Sequence, residues 1–110
     1  MTDLDYARET SALLARIEET VDRWLQDDVI DIDSARSGGM LELGFPDRSK
    51  IIVNTQPPLH EVWLAAKGGG FHYRFDGERW LNTRDRTEFL AALSQHATAQ
   101  GGRPLRFSLS

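Results

Sequence analysis

Seven carboxylates fall within a short stretch near the start of this chain: Glu18, Glu19, Asp22, Asp27, Asp28, Asp31 and Asp33. Carboxylates are hard oxygen ligands, suited to Ca²⁺, Mg²⁺, Mn²⁺ and iron. Their spacing here does not make a closed cage. The segment DDVIDID (27–33) lacks the central glycine and terminal glutamate of an EF-hand loop. No histidine three or four residues away joins the acids, so the helical di-iron motif is absent. The chemistry to expect is weak, partly hydrated binding of iron or another divalent cation, with low selectivity. The bland alternative is a solvated acidic face that aids solubility, with Glu19 and Arg23 as a favourable i, i+4 pair.

A second group of residues reads as a contact surface. In HEVWLAAK (60–67), Val62, Leu64 and Ala66 share one parity, and Glu61, Trp63, Ala65 and Lys67 share the other. A strand that buries Val62 and Leu64 turns Trp63 outward. If Ile51 and Val53 point inward on the preceding strand, Asn54 and Gln56 also face out. Tryptophan among amides on an open face is typical of a protein contact. The competing reading is a Trp63 shielded by long neighbours such as Lys67. His60, His72 and His96 lie on three separate elements and form no nucleophile–base–acid order; His72 reads as an outward strand residue. Gly68–Gly70 precedes a strand and not a helix, so it is no phosphate loop.

The elements that must position these groups follow from periodicity. Leu4–Leu25 predicts an amphipathic helix, with Leu14, Ile17, Val21 and Trp24 as its buried stripe and Leu13 and Leu25 flanking it. At about 100° per residue from Ile17, Glu18, Asp22 and Glu19 share one exposed flank. Glu18 and Asp22 form a repulsive i, i+4 pair, so reversing both charges should leave the fold intact or slightly more stable. The period then changes to two. Strands are expected at Val29–Asp33, Met40–Phe45, Lys50–Asn54, HEVWLAA (60–66), Phe71–Phe75 and Arg79–Asn82. Asp31 and Asp33 should project from one side of the first strand. Gly38-Gly39, PDRS (46–49), Pro57-Pro58 and Asp76-Gly77 mark the turns. Asp85 and Glu88 match a capping box opening a second helix through Phe89, Leu90, Leu93 and Ala97. That helix stops near Gly101-Gly102, and the tail can lie on the core through Leu105 and Phe107. Successive strands with short turns imply an antiparallel meander. The fold class is α+β: a two-layer sandwich in which two terminal helices pack on one face of a six-stranded antiparallel sheet.

Composition bounds the function further. The chain has 110 residues and no cysteine. One domain, residues 1–110, is expected, without disulfides, zinc–thiolate sites or a cysteine nucleophile. The net charge of −4 argues against nucleic acid. Its distribution is uneven: residues 1–33 hold ten acids against three bases, −7, and the rest hold seven against ten, +3. Such polarity attracts cations or a basic protein to one end. No apolar run is long enough to span a bilayer. MTDLDYARE (1–9) has neither the basic nor the apolar region of a secretory signal, so the cytoplasm is the expected compartment.

The segment NTQPPLHEVWLAAKGGGFHY (54–73) resembles the signature of the frataxin family, in its bacterial branch. Asn54, Gln56 and Pro58 match its Asn-x-Gln-x-Pro element, and Val62-Trp63-Leu64-Ala65 match its V/I-W-L-A/S element. The resemblance runs from IEETVDRW (17–24) through GGMLELGF (38–45) and SKIIVN (49–54) to the second helix. It implies an α–β sandwich and a role in iron–sulfur cluster assembly. It also implies weak iron binding on an acidic ridge, here Glu18, Glu19, Asp22, Asp27 and Asp31 with Asp28 and Asp33 beside them. The implied partners are the cysteine desulfurase and the scaffold protein, met by Glu18, Glu19 and Asp22 and by Asn54, Gln56 and Trp63 on the sheet. The protein is expected to be a monomer, with oligomerisation under iron load as a further expectation, and to be no enzyme. Arg23, Leu25 and Val29 stand where bacterial members often place further acids, which reduces iron capacity or shifts it to Asp27 and Asp28. Without cysteine the chain cannot ligate a cluster through thiolates. Two other readings remain: a purely protein-binding regulator of the desulfurase with incidental iron binding, and, ranked last, a ferroxidase, which needs closely paired buried carboxylates.

Overall fold

The computed structural model describes residues 1–108. Helix α1 spans Asp3–Gln26. Its start is set by a capping box just ahead of the apolar stripe: the Asp5 N–H donates to Thr2 Oγ1 at 3.0 Å and the Thr2 N–H to Asp5 Oδ2 at 3.4 Å. Hydrogen bonds from the Thr2 hydroxyl and then the Thr2 N–H hold the Asp5 carboxyl below the usual aspartate range. The predicted stripe is buried at Leu13, Leu14, Ile17 and Val21, and Trp24 packs at its edge. Leu25, expected to flank the stripe, is exposed.

Six strands follow in meander order: β1 (Asp33–Ser37), β2 (Met40–Gly44), β3 (Lys50–Gln56), β4 (Glu61–Ala66), β5 (Gly69–Phe75) and β6 (Trp80–Asn82). All neighbours are antiparallel. A 3₁₀ turn at Pro57–Leu59 joins β3 to β4. Helix α2 spans Phe89–Gly101. The side chains of Leu41, Leu43, Ile51, Val53, Val62, Leu64 and Tyr73 form one buried cluster with the stripe of α1 and with Phe89, Leu90, Leu93 and Ala97 of α2. Both helices therefore cover one face, and the other face is open, as expected. Truncating a fully buried member such as Ile17 to alanine costs about 2–5 kcal/mol.

Two boundaries differ by more than a residue or two from expectation; the others shift by one or two residues. The first strand is not Val29–Asp33 but Asp33–Ser37. Ile30 and Ile32 are buried and Asp31 is exposed, so the alternation is real, but the segment before Asp33 has no ladder partner among the described residues. The two-residue turn at Gly38-Gly39 pairs Ser37 with Met40, and the register then runs back to Asp33 opposite Gly44. Gly38 takes φ 59°, a conformation that suits glycine. The second correction is the start of α2. Glu88 is the N-cap itself, its carboxylate accepting from the Leu90 and Ala91 N–H groups at 2.6 and 3.0 Å. Asp85 instead caps the preceding turn through the Thr87 N–H at 2.9 Å.

After α2, Gly102 at φ 72° reverses the chain. Thr98 Oγ1 and Ser94 Oγ accept from the Leu105 and Phe107 N–H groups at 3.0 and 2.9 Å. These bonds set Leu105 and Phe107 into the core, Phe107 edge-on to Trp24 with centroids 4.8 Å apart. The tail thus braces the last turns of α1, where the acidic residues lie.

Candidate functional site

The acidic residues run along the chain from the second half of α1 to the first residue of β1. Glu19, Asp22, Asp27, Asp28, Asp31 and Asp33 are all exposed. Among the described residues, none of these six takes part in an ion pair. The expected pair between Glu19 and Arg23 is therefore not formed. Glu18 is different: its Oε1 accepts from Arg36 Nη1 at 2.9 Å. Arg36 lies opposite the buried Leu41 in the β1–β2 register. It therefore shares the helix-covered face and reaches α1. The expectation that Glu18 belongs to the unneutralised charge is corrected by this contact.

The turn after α1 concentrates charge at the helix end that disfavours it. Asp27 is the C-cap, its N–H donating to Arg23 O at 2.9 Å. Asp28 takes the left-handed conformation at φ 58°. The Val29 N–H closes the turn on Trp24 O at 2.8 Å. A guanidinium N–H of Arg103 donates to the Val29 carbonyl from the far side. Ile30 and Ile32 then plug the core, which turns Asp31 and Asp33 outward. Asp31 lies in the connection before β1 and not in the strand. Asp33 shares the outward parity of β1, on the sheet face opposite that of Arg36. Among the described residues no three His, Asp or Glu side chains converge closely enough to hold a metal ion. The arrangement can offer one or two carboxylates to a hydrated cation, or a broad negative field to a basic surface.

The open face carries the second group. Met40, Asn54, Trp63 and His72 lie side by side across β2–β5, and Gln56, Glu61 and Arg74 form the next row. Trp63 faces outward, as its parity requires, but it is half-buried. His72 shields it: the two rings stack with centroids 4.2 Å apart and planes 6° apart. Trp63 Nε1 donates to Glu61 Oε1 at 2.9 Å.

Tyr6 is the residue that sequence reasoning missed. Its hydroxyl donates to Glu61 O at 2.6 Å and accepts from the Gln56 N–H at 2.9 Å. One side chain of α1 thereby fixes the ends of β3 and β4, between which the chain makes its 3₁₀ turn. Burial pushes the Tyr6 hydroxyl pKa up. His60, left-handed at φ 51°, stacks on Tyr6 with centroids 4.9 Å apart, and its Nε2 lies 2.7 Å from Asp3 Oδ1. The available signal was a lone tyrosine on the buried side of α1, one helical turn from the N-cap.

The model of the Frataxin-like domain matches residues 1–103. The chain belongs to the frataxin-like family. It is 51% identical over 108 residues to the iron-sulfur cluster assembly protein CyaY of Verminephrobacter eiseniae (strain EF01-2), covering 98% of this chain and 99% of that protein. To CyaY of Polaromonas sp. (strain JS666 / ATCC BAA-500) it is 49% identical, covering 98% and 93%. Among solved structures, the frataxin of Psychromonas ingrahamii superposes with a TM-score of 0.88 at 32% identity, covering 98% of this chain and 99% of that one. Trimeric frataxin from the yeast Saccharomyces cerevisiae, complexed with ferrous iron, shares the fold at a TM-score of 0.72 and 21% identity, covering 86% and 87%. The frataxin fold thus accounts for the two helices, the meander and the open face. No helix among the described residues is long and apolar enough to cross a membrane.

Proposed function

We propose that this protein serves iron–sulfur cluster assembly by docking on the cysteine desulfurase and its scaffold protein and by binding ferrous iron weakly at the same acidic rim. The observation that carries this reading is the row of six exposed acids with no ion pair among the described residues, from Glu19 to Asp33. Of the seven rim acids, Glu18 alone meets an arginine among the described residues. Charge left unneutralised beside a helix C-terminus costs some stability. It gains a use when a cation or a basic protein arrives. The relatives that are named for cluster assembly, and the yeast protein complexed with ferrous iron, support the same assignment. In the open face, Asn54, Gln56 and Trp63 supply a second contact for the assembly, with the rim giving attraction and the sheet giving specificity.

The role is binding and not turnover. A ferroxidase needs paired buried carboxylates. Among the described residues Glu61 is the one acidic residue that is buried, and it is engaged by Arg74 and Trp63. The second reading, a purely protein-binding regulator, is favoured by the lack of any convergent triad of ligands among the described residues. Desulfurase affinity tests the docking mechanism common to both. It should fall severalfold as salt rises from about 0.05 M to about 0.3 M, because the Debye length shortens to less than the reach of the rim's field. An affinity indifferent to salt contradicts rim-driven docking.

A further inference from the structure

A buried acid stands on the face of the sheet that no helix covers. The Glu61 side chain is 7% exposed. It takes no part in the apolar core, which lies on the other face. Its partners are outward side chains: Trp63 Nε1 at 2.9 Å on Oε1, Arg74 Nε at 2.9 Å on Oε2, and His72 Nδ1 at 3.6 Å from Oε1. Burying a carboxylate is costly unless charge and hydrogen bonds are returned to it. Arg74 returns the charge and the indole N–H returns a bond. The outcome is orientation. The Glu61 bond holds the indole by its edge, while the parallel imidazole of His72 holds it by its face. Tyr6 fixes the backbone of Glu61 from the opposite side of the sheet through its carbonyl.

We propose that Glu61 is a positioning residue, which presets the Trp63–His72 ring pair as a rigid platform for the assembly partner. The inference rests on the reading of Trp63 as a partner contact. A ring held in its bound orientation loses less entropy on docking, and aromatic anchors dominate interface energies. His72 Nε2, which has no partner among the described residues, stays open for a hydrogen bond from the other protein.

The test is a double-mutant cycle on binding to the reconstituted cysteine desulfurase–scaffold complex, using wild type, E61A, W63F and E61A/W63F. Phenylalanine keeps a ring but has no N–H for Glu61 to hold. E61A should weaken binding about tenfold in the wild-type background and less than about twofold in the W63F background. E61Q, which still offers an oxygen to the indole, should stay within about threefold of wild type and supplies the comparison if E61A folds poorly. In the free protein, the Trp63 Nε1–H resonance should shift and exchange faster in E61A. Equal losses in both backgrounds, or an indole resonance unmoved by E61A, overturn the proposal. If W63A leaves binding unchanged while E61A moves the indole resonance, the contact reading has failed and the preset orientation in the free protein stands.

Discussion

Charge reversal at Asp22 and at Glu18 removes the same charge from the same rim, yet the two should move stability in opposite directions. Asp22 is exposed and has no ion-pair partner among the described residues. It lies four positions after Glu18 and near the C-terminal end of α1. Asp22→Lys removes an i, i+4 repulsion of about 0.2–0.5 kcal/mol. It also creates a favourable i, i+4 Glu–Lys pair with Glu18, for about 0.3 kcal/mol more. The gain of about 0.5–1 kcal/mol should raise Tm by about 2–5 °C. Glu18→Lys breaks the 2.9 Å bond to Arg36, a pair whose side chains are about one third exposed, and sets two cations side by side. A partly exposed pair is worth about 0.5–1 kcal/mol, and this loss together with the new cation pair outweighs the about 0.2–0.5 kcal/mol gained by losing the repulsion with Asp22, so Tm should fall by about 1–3 °C. Both variants should bind the desulfurase more weakly at low salt. Thermal melts by circular dichroism and biolayer interferometry at two salt concentrations measure both effects. A lowered Tm for D22K, or a raised one for E18K, refutes this charge geometry. Unchanged affinity in both refutes the docking role of the rim.

Two further outcomes follow from close packing and from titration. A Cβ on Gly39 would lie 2.0 Å from Thr55 Oγ1, which itself donates to Gly39 O at 3.0 Å; G39A should therefore cost about 1–3 kcal/mol in urea unfolding, and T55A should recover part of that loss, whereas equal stability of G39A and wild type contradicts the packing of the hairpin on β3. Burial holds the His96 pKa below its ordinary 6.5, so the unfolded chain takes up the proton first. Stability contributed by the neutral ring is therefore present above pH 6.5 and is lost as pH falls toward the folded pKa. Urea midpoints at pH 7.5 and 5.5 should differ less in H96Q than in wild type, and an equal or larger difference contradicts the assignment.

Much of the fold and of the site was legible in the sequence, because each legible feature depended on local period alone. The parity of Val62 and Leu64 placed Trp63 on the open face without any knowledge of its neighbours. The stripe through Leu14, Ile17 and Val21 placed the acids of α1 on its exposed side. What was not legible depended on pairing between distant segments. Val29–Asp33 alternates like a strand because Ile30 and Ile32 plug the core, but a strand needs a ladder, and the Gly38-Gly39 turn allocates the five residues of β2 to Asp33–Ser37. Counting back from that turn would have found it. Glu61 shares the outward parity of Trp63 and is nevertheless buried, since Arg74 and His72 reach it only through the β4–β5 register. Arg36 neutralises Glu18 for the same reason: its face is set by the hairpin, eighteen residues from its partner. The Tyr6 bonds to Gln56 and Glu61 join segments far apart in the chain and leave no periodic trace.

The most direct test of the central claim is an anaerobic titration of the ¹⁵N-labelled protein with Fe²⁺, followed by paramagnetic broadening of backbone amides. Broadening should come first at Glu19, Asp22, Asp27, Asp28, Asp31 and Asp33, at sub-millimolar iron, with the amides around Trp63 unaffected. Broadening centred on His60, His72 or His96, or no response below millimolar iron, contradicts iron binding at the rim.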